Sequence, residues 1–383
     1  MPELKKKKIL FIVPSFMRGG MENMLISIAN IIAEIYDVTI YNLGSHDDGM
    51  VLQLKNNIHY YARWMPCKNI KHFNQMERKG DYRILPLAVW YKVHSSRYVH
   101  KKLVQEHFDT EIAFFVGEPV KIVAGADKST KKLCWIHSDY KFCSGLFNAF
   151  ANKRSAIRGF RSFDNVVCVS IQAQKSFQEM TGLDNTTVIY NYLNFNLIAQ
   201  KAKEYSVEKR TAFSIVAVGR LVNAKGFDKL LQATAMLQRE GYIFDLTIIG
   251  DGAERSNLQN FINKECLKSI ILTGMLDNPY PYIANADLLV CSSRYEGYNL
   301  AVAEAIILGT PVLSTNCTGP TEILGYGQYG KVVENTEKGI YNGLKELLES
   351  PSSLIKYKEK AKARAAFFGE KRIKRQILDL IEG

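Results

Sequence analysis

Short apolar runs alternate with segments of helical period along this chain, and the alternation restarts near residue 200. An apolar run of four to six residues bounded by turn residues reads as a buried strand, and apolar residues recurring every three or four positions read as the helix that covers it. Units of this kind build a parallel sheet with right-handed crossovers. In the first half the strand runs are Ile9–Val13, Val38–Leu43, Ile112–Val116, Leu133–Ile136, Val166–Val169 and Thr187–Tyr190, with a shorter one near Ile58–Tyr61. Leu25, Ile28, Ala29, Ile32 and Ile35 mark the buried face of the helix after the first run. The rest of 46–83 reads as surface loops. A polar stretch, Gln200–Arg210, precedes the second series: Phe213–Val218, Phe244–Ile249, Ile270–Leu272, Leu288–Cys291, Val312–Ser314 and Val332–Val333, with helices at 226–240, 254–264, 299–308, 336–349 and 353–367. The expectation is an α/β chain of two Rossmann-like domains, 1–200 and 201–368, with a C-terminal helix at about 369–383 packing back on the first.

Charge is uneven. The formal net charge is +12, and residues 1–195 hold 26 Lys and Arg against 17 Asp and Glu. A basic first half suits an anionic partner: a membrane surface, a nucleic acid or a phosphorylated substrate. No nucleic-acid recognition motif accompanies the charge. No run approaches the 18 uncharged residues of a membrane span. Lys5–Lys8 followed by Ile9–Val13 mimics a signal peptide, but Pro14 cuts the apolar part too short. Seven Cys without a C-x-x-C spacing read as reduced, mostly buried thiols of a cytosolic protein, and no metal-ligand cluster is seen.

Ligands of an open α/β sheet bind beyond the carboxyl ends of its strands, so the informative residues are those at strand ends. The second series opens V-A-V-G-R-L-V-N-A-K-G, placing Arg220 and Lys225 in one strand-to-helix turn. A guanidinium suits bidentate contact with phosphate oxygens and an ammonium adds a point charge, although two surface cations on a loop would read the same. Next comes I-I-G-D-G, with Gly250 and Gly252 permitting close backbone approach. The third glycine and later acidic residue of a nicotinamide-binding fingerprint are missing. Gly274-Met275-Leu276 closes the following strand and serves either a base edge or a plain turn. The stretch C-S-S-R-Y-E-G-Y-N-L-A-V-A-E-A, Cys291–Ala305, carries two glutamates eight positions apart. Glu296 lies on a loop with Gly297; Glu304 lies two turns into the helix that begins at about Asn299, beside Ala301 and Ala305, and should be half-buried. A buried carboxylate needs donors, and sugar hydroxyls are donors. In the first series Gly19 and Gly20 precede a helix whose N-terminus could face a phosphate or a sugar. His137, in C-W-I-H-S-D-Y, follows a buried strand at the same edge, with structural and functional readings evenly balanced.

Taken in order, G-R-L-V-N-A-K-G, I-G-D-G, S-S-R-Y-E-G-Y-N-L-A-V-A-E-A and G-T-P-V-L-S-T-N-C-T-G-P-T-E-I-L resemble the retaining glycosyltransferases of family 4. The resemblance covers nearly the whole chain and implies the GT-B architecture, two Rossmann-like domains facing a central cleft. It gives Arg220 and Lys225 the donor's diphosphate, Glu296 the hydroxyls of the donor sugar, Glu304 the ribose, Gly19 and Gly20 a place by the phosphates and sugar, and His137 a place facing the transferred sugar. His137, Arg220, Lys225 and Glu296 are the catalytic set. Gly250, Gly252, Met275, Leu276, Gly297, Tyr298, Asn299 and Leu300 complete the donor-binding set. The sequence departs from the family pattern twice. Tyr298-Asn299 stands where Phe-Gly is usual, and Thr318-Gly319-Pro320 stands where Gly-Gly is usual before Glu322. The second variant is similar to enzymes that build bacterial surface polysaccharides, often from UDP-galactose or UDP-hexosamines.

The resemblance therefore implies transfer of a hexose or N-acetylhexosamine from a nucleotide sugar, a UDP-sugar, to a lipid-linked or cell-envelope glycan, with retention and with no metal or other cofactor. Front-face attack with the leaving phosphate taking the acceptor's proton is the implied route, and domain closure would exclude water. Lys153, Arg154, Arg158 and Arg161 lie among Phe147, Phe150, Phe160 and Phe163, a mix that reads either as a surface for an anionic bilayer or as an ordinary amphipathic helix. The expected place is the cytoplasm, peripheral to the inner face of the membrane. The competing readings are a non-catalytic binding or scaffold protein on the same fold and a sugar-nucleotide epimerase.

Overall fold

The computed structural model describes residues 6–62, 87–142, 145–208 and 213–383. The chain divides into two compact units, Met1–Tyr192 with Ile373–Gly383, and Leu193–Arg372.

The first unit is built on a seven-stranded sheet of β1 (Lys8–Val13), β2 (Asp37–Asn42), β3 (Ile58–Ala62), β4 (Thr110–Ala113), β5 (Lys131–Ile136), β6 (Asn165–Cys168) and β7 (Thr186–Val188). The order is 3-2-1-4-5-6-7, and every pair is parallel. Ile9 to Val13 are buried without alternation, as a sheet covered on both faces requires. The helix Gly20–Ile32 buries Leu25, Ile28, Ala29 and Ile32, whereas Ile35, expected on that face, lies past the helix end and is exposed. The expected strand Ile112–Val116 ends early, because ladder pairing stops at Ala113 and the Phe114 carbonyl turns to a side chain instead. Within 46–62, Asp48–Val51 is a short helix; the remainder of the expected loop region, 63–83, lies outside the described residues. The C-terminal helix Glu370–Glu382 buries Ile373, Ile377 and Ile381, spaced four apart on one face. Glu382 accepts from Tyr36 and, at 3.0 Å, from Lys7.

The second unit holds β8 (Ser214–Val218), β9 (Asp245–Ile249), β10 (Ile270–Gly274), β11 (Leu288–Cys291), β12 (Val312–Thr315) and β13 (Lys331–Val333) in the order 10-9-8-11-12-13, again parallel. The helix Phe195–Lys201 falls in this unit, so the structural division comes slightly before residue 200. Leu230, Leu231, Leu237, Leu246, Ile248, Leu288, Val290 and Leu344 form its core. In both sheets the strand order reverses beside the first strand of the series: between β1 and β4, and between β8 and β11. The crevice at such a reversal is where this class of sheet takes its ligands.

Candidate active site

Arg220 and Lys225 follow β8, and Glu296 follows β11, so the reversal of the second sheet brings all three to one edge. The Lys225 Nζ lies 2.5 Å from Glu296 Oε1. Ser293 Oγ donates to the same oxygen at 2.7 Å and Asn299 Nδ2 at 3.0 Å. Burial pushes the Lys225 ammonium down, but the charge and hydrogen bond of Glu296 outweigh it and hold it above its ordinary value, with Arg220 acting in the opposite sense. Arg220 itself is exposed, and among the described residues no acid pairs with it. Arg294 takes no part: its guanidinium clamps Asp228 at 2.6 and 2.8 Å and reaches the Asn223 carbonyl at 2.7 Å.

Asn299 caps the helix Leu300–Leu308 through its Oδ1, which accepts from the Val302 amide at 3.1 Å. Its φ of 78° is one that Asn tolerates better than most residues. The glutamate loop is fastened from the far side by the helix Thr318–Ile323: Thr318 Oγ1 donates to the Glu296 carbonyl, and the Gly319 amide does so at 3.4 Å. A Cβ on Gly319 would meet the Tyr298 backbone at 2.5 Å, so only glycine fits there. Tyr298 and Gly297 are buried.

Glu304 is half-buried, as expected, and its desolvation raises the carboxyl to about 7 against the opposing Tyr280 hydroxyl, which donates at 3.2 Å. Gly250 and Gly252 serve close approach to the chain's own backbone: a Cβ on each would come within 2.0 Å of the Gly219 carbonyl and 2.5 Å of the Leu221 carbonyl. Met275 is exposed and Leu276 half-buried at the end of β10. Ser293 and Tyr280 were not among the residues expected. Ser293 was findable, since a hydroxyl three residues before a loop carboxylate favours local side-chain bonds. Tyr280 stands 24 residues before Glu304, and no local pattern links them.

In the first unit Gly19 precedes the helix Gly20–Ile32 after β1, and Glu22 in its first turn packs its carboxylate against Gly19. His137, after β5, is buried; its Nε2 donates to the Phe114 carbonyl at 2.8 Å, and the Phe114 and Phe115 rings lie 4.6 and 5.3 Å away. Burial pushes it down to about 4 against that hydrogen bond, so the ring is neutral. Its Nδ1 is thus an acceptor, buried with no partner among the described residues. The basic helix Lys153–Arg161 bears out the amphipathic-helix reading of that mix. Phe150, Phe160 and Phe163 are in the core, and only the cations of that mix are fully exposed. Among the described residues no group of three His, Cys, Asp or Glu side chains could hold a metal ion, and no helix is long and apolar enough to cross a membrane. Cys134, Cys168, Cys266, Cys291 and Cys317 are free thiols.

Two parallel sheets with these orders define the GT-B architecture. Residues 199–364 match the family model of the glycosyl transferases group 1. Among relatives, the N-acetylgalactosamine-N,N'-diacetylbacillosaminyl-diphospho-undecaprenol 4-alpha-N-acetylgalactosaminyltransferase of Campylobacter jejuni subsp. jejuni serotype O:2 is 31% identical over 199 residues, which are 51% of this chain and 53% of that protein. The chain thus spans about half the length of that relative. The lipopolysaccharide core biosynthesis glycosyltransferase LpsE of Rhizobium meliloti is 24% identical over 61% of this chain and 70% of its own. Among solved structures, Anabaena Alr3699/HepE in complex with UDP and glucose superposes with a TM-score of 0.76 at 20% identity, covering 98% of this chain and all of that one.

Proposed function

We propose that this chain transfers a hexose or N-acetylhexosamine from a UDP-sugar to a lipid-linked or cell-envelope glycan, with retention of anomeric configuration and without a metal ion. The observation that carries the reading is the charge at the β8–β11 reversal: two cations, Arg220 and Lys225, to one carboxylate, with the guanidinium exposed and unpaired. A diphosphate completes that balance. As the bond between the sugar's anomeric carbon and the diphosphate oxygen breaks, negative charge grows on the leaving group, and preorganised positive charge there is the largest lever on the rate. The acceptor hydroxyl oxygen bonds the anomeric carbon on the same face, and its proton passes to the leaving phosphate. Glu296 accepts from donor-sugar hydroxyls and Glu304 from the ribose. His137, neutral, accepts from a hydroxyl through Nδ1 rather than acting as a base. The UDP in the Anabaena complex and the diphospho-undecaprenol in the Campylobacter relative's name support this choice of donor and acceptor.

An anionic membrane surface belongs to the same reading. In the first unit, the helices Leu87–Val93 and Ser96–Leu103 expose Val93 (61%) and Tyr98 (40%) among Lys92, Arg97, Lys101 and Lys102. None of the four cations pairs with an acid among the described residues, and such a mix suits anionic lipid. Co-sedimentation with vesicles containing phosphatidylglycerol, and not with neutral phosphatidylcholine, is expected; no binding to either removes this part.

The decisive experiment is a thermal shift with UDP, GDP, ADP and NAD on the wild type and on Glu304→Ala. A ligand at a hundredfold excess over its Kd stabilises the native state by about 2.7 kcal/mol. A shift with UDP alone, weakened in Glu304→Ala, is expected. A preference for GDP or ADP would change the donor and keep the class. No shift with any nucleotide at millimolar concentration would sink the reading.

A further inference from the structure

Three donors crowd one oxygen of Glu296. Lys225, Ser293 and Asn299 all reach Oε1, and among the described residues no donor reaches Oε2. A carboxylate offers about four lone-pair sites, divided between its two oxygens. Oε1 is saturated, so the acceptor capacity left to this mostly buried group sits on Oε2.

We propose that Asn299 is a positioning residue for donor-sugar selection, holding Glu296 so that Oε2 alone reads the sugar's hydroxyls. The inference rests on the transferase reading and goes beyond it, because it concerns which sugar is chosen. Asn299 stands where the resembled family has glycine, which has no side chain to offer. Ser293 and Asn299 flank Glu296 three residues before and three after, so the loop itself grips the carboxylate from both directions along the chain. The Asn299 amide is also fixed in orientation. The Val302 N–H requires its oxygen, and the NH2 is therefore left facing Glu296. A carboxylate pinned this way cannot exchange its two oxygens by rotation. It accepts hydrogen bonds and cannot donate them while ionised. Oε2 thus favours a sugar that presents an O–H or N–H at one place and disfavours the epimer that presents it elsewhere.

The test separates positioning from helix capping. Asn299→Asp keeps an oxygen for the Val302 amide and suits the same backbone, but gives Glu296 no donor. Asn299→Gly loses both. Calorimetry would give the Kd of the nucleoside diphosphate selected above, and of its glucose, galactose, N-acetylglucosamine and N-acetylgalactosamine conjugates, for the wild type, both variants and Ser293→Ala. Melting curves would show that each variant is folded. The expected result is that the discrimination of Asn299→Asp among the sugars, each Kd taken relative to that variant's own Kd for the bare nucleotide, falls about fivefold or more, the scale of one hydrogen bond. Ser293→Ala should move the same way. The inference is overturned if Asn299→Asp keeps the wild-type discrimination, or if a wild type that binds the nucleotide does not discriminate at all. A wild type that binds no nucleotide would instead sink the transferase reading and this inference with it.

Discussion

At the reversal of the second sheet an ammonium, a hydroxyl and an amide converge on one carboxylate oxygen, with a bare guanidinium alongside. At the reversal of the first sheet stand a glycine turn and, one strand over, an imidazole kept neutral by burial against two phenyl rings, with its Nε2 donating to a carbonyl. The strand orders around the two reversals match; the chemistry placed on them does not. The second edge carries two cations to one carboxylate, and the first carries an uncharged acceptor nitrogen. Topology locates a ligand edge, and the residues just past the strands decide what the edge can do.

The contrast can be broken most sharply at Arg220. Arg220→Ala removes the unpaired charge and no internal contact. A loss of about 100- to 1000-fold in kcat/KM is expected, the cost of deleting one preorganised charge stabiliser, with an unchanged melting temperature. Retained turnover, or a large loss of stability, would mean that the second edge is not poised for an anion. Glu304→Gln tests the other carboxylate. The folded carboxyl, raised to about 7, binds protons that the unfolded one, near 4.5, releases. Ionising it therefore costs stability as pH rises from 4.5 to 7. The Gln variant should gain stability over the wild type at pH 8 and not at pH 4, while nucleotide affinity drops about ten- to a hundredfold. Denaturant midpoints and calorimetry read the two effects, and a pH-independent stability difference would refute the assignment.

His137 sharpens the contrast from the first edge. Its folded value is lowered from 6.5 to about 4, so the unfolded chain binds the extra proton first, and stability is lost as pH falls through that window. At pH 5 the loss is about 2 kcal/mol relative to pH 8. His137→Gln should abolish that acid-dependent part. An NMR titration showing the wild-type imidazole protonating near 6.5 would contradict the neutral acceptor.

Much of this was legible in the chain. The strands needed only the spacing of apolar runs, because parallel strands buried on both faces leave unbroken hydrophobic stretches such as Ile9–Val13. Lys225 and Glu296 could be marked as strand-end residues, yet their separation by 71 positions hid the 2.5 Å pairing that only the crossover creates. Phe114 and Phe115 look like strand residues by composition; they leave the ladder and shelter His137 instead. Phe160 and Phe163 stand among cations as either a membrane surface or the inner side of an amphipathic helix, and only packing shows that they are inside. The Tyr280–Glu304 bond had no sequence mark, since nothing local relates a residue before β11 to one on the helix after it.

The two departures from the family pattern, Tyr298-Asn299 and Thr318-Gly319-Pro320, meet backbone to backbone at Tyr298 and Gly319. Neither is free to change alone. A library aimed at donor choice that randomises one loop samples mostly misfits, because substitutions in contact do not add. If donor choice is set by these loops, changing it requires substitutions in both together.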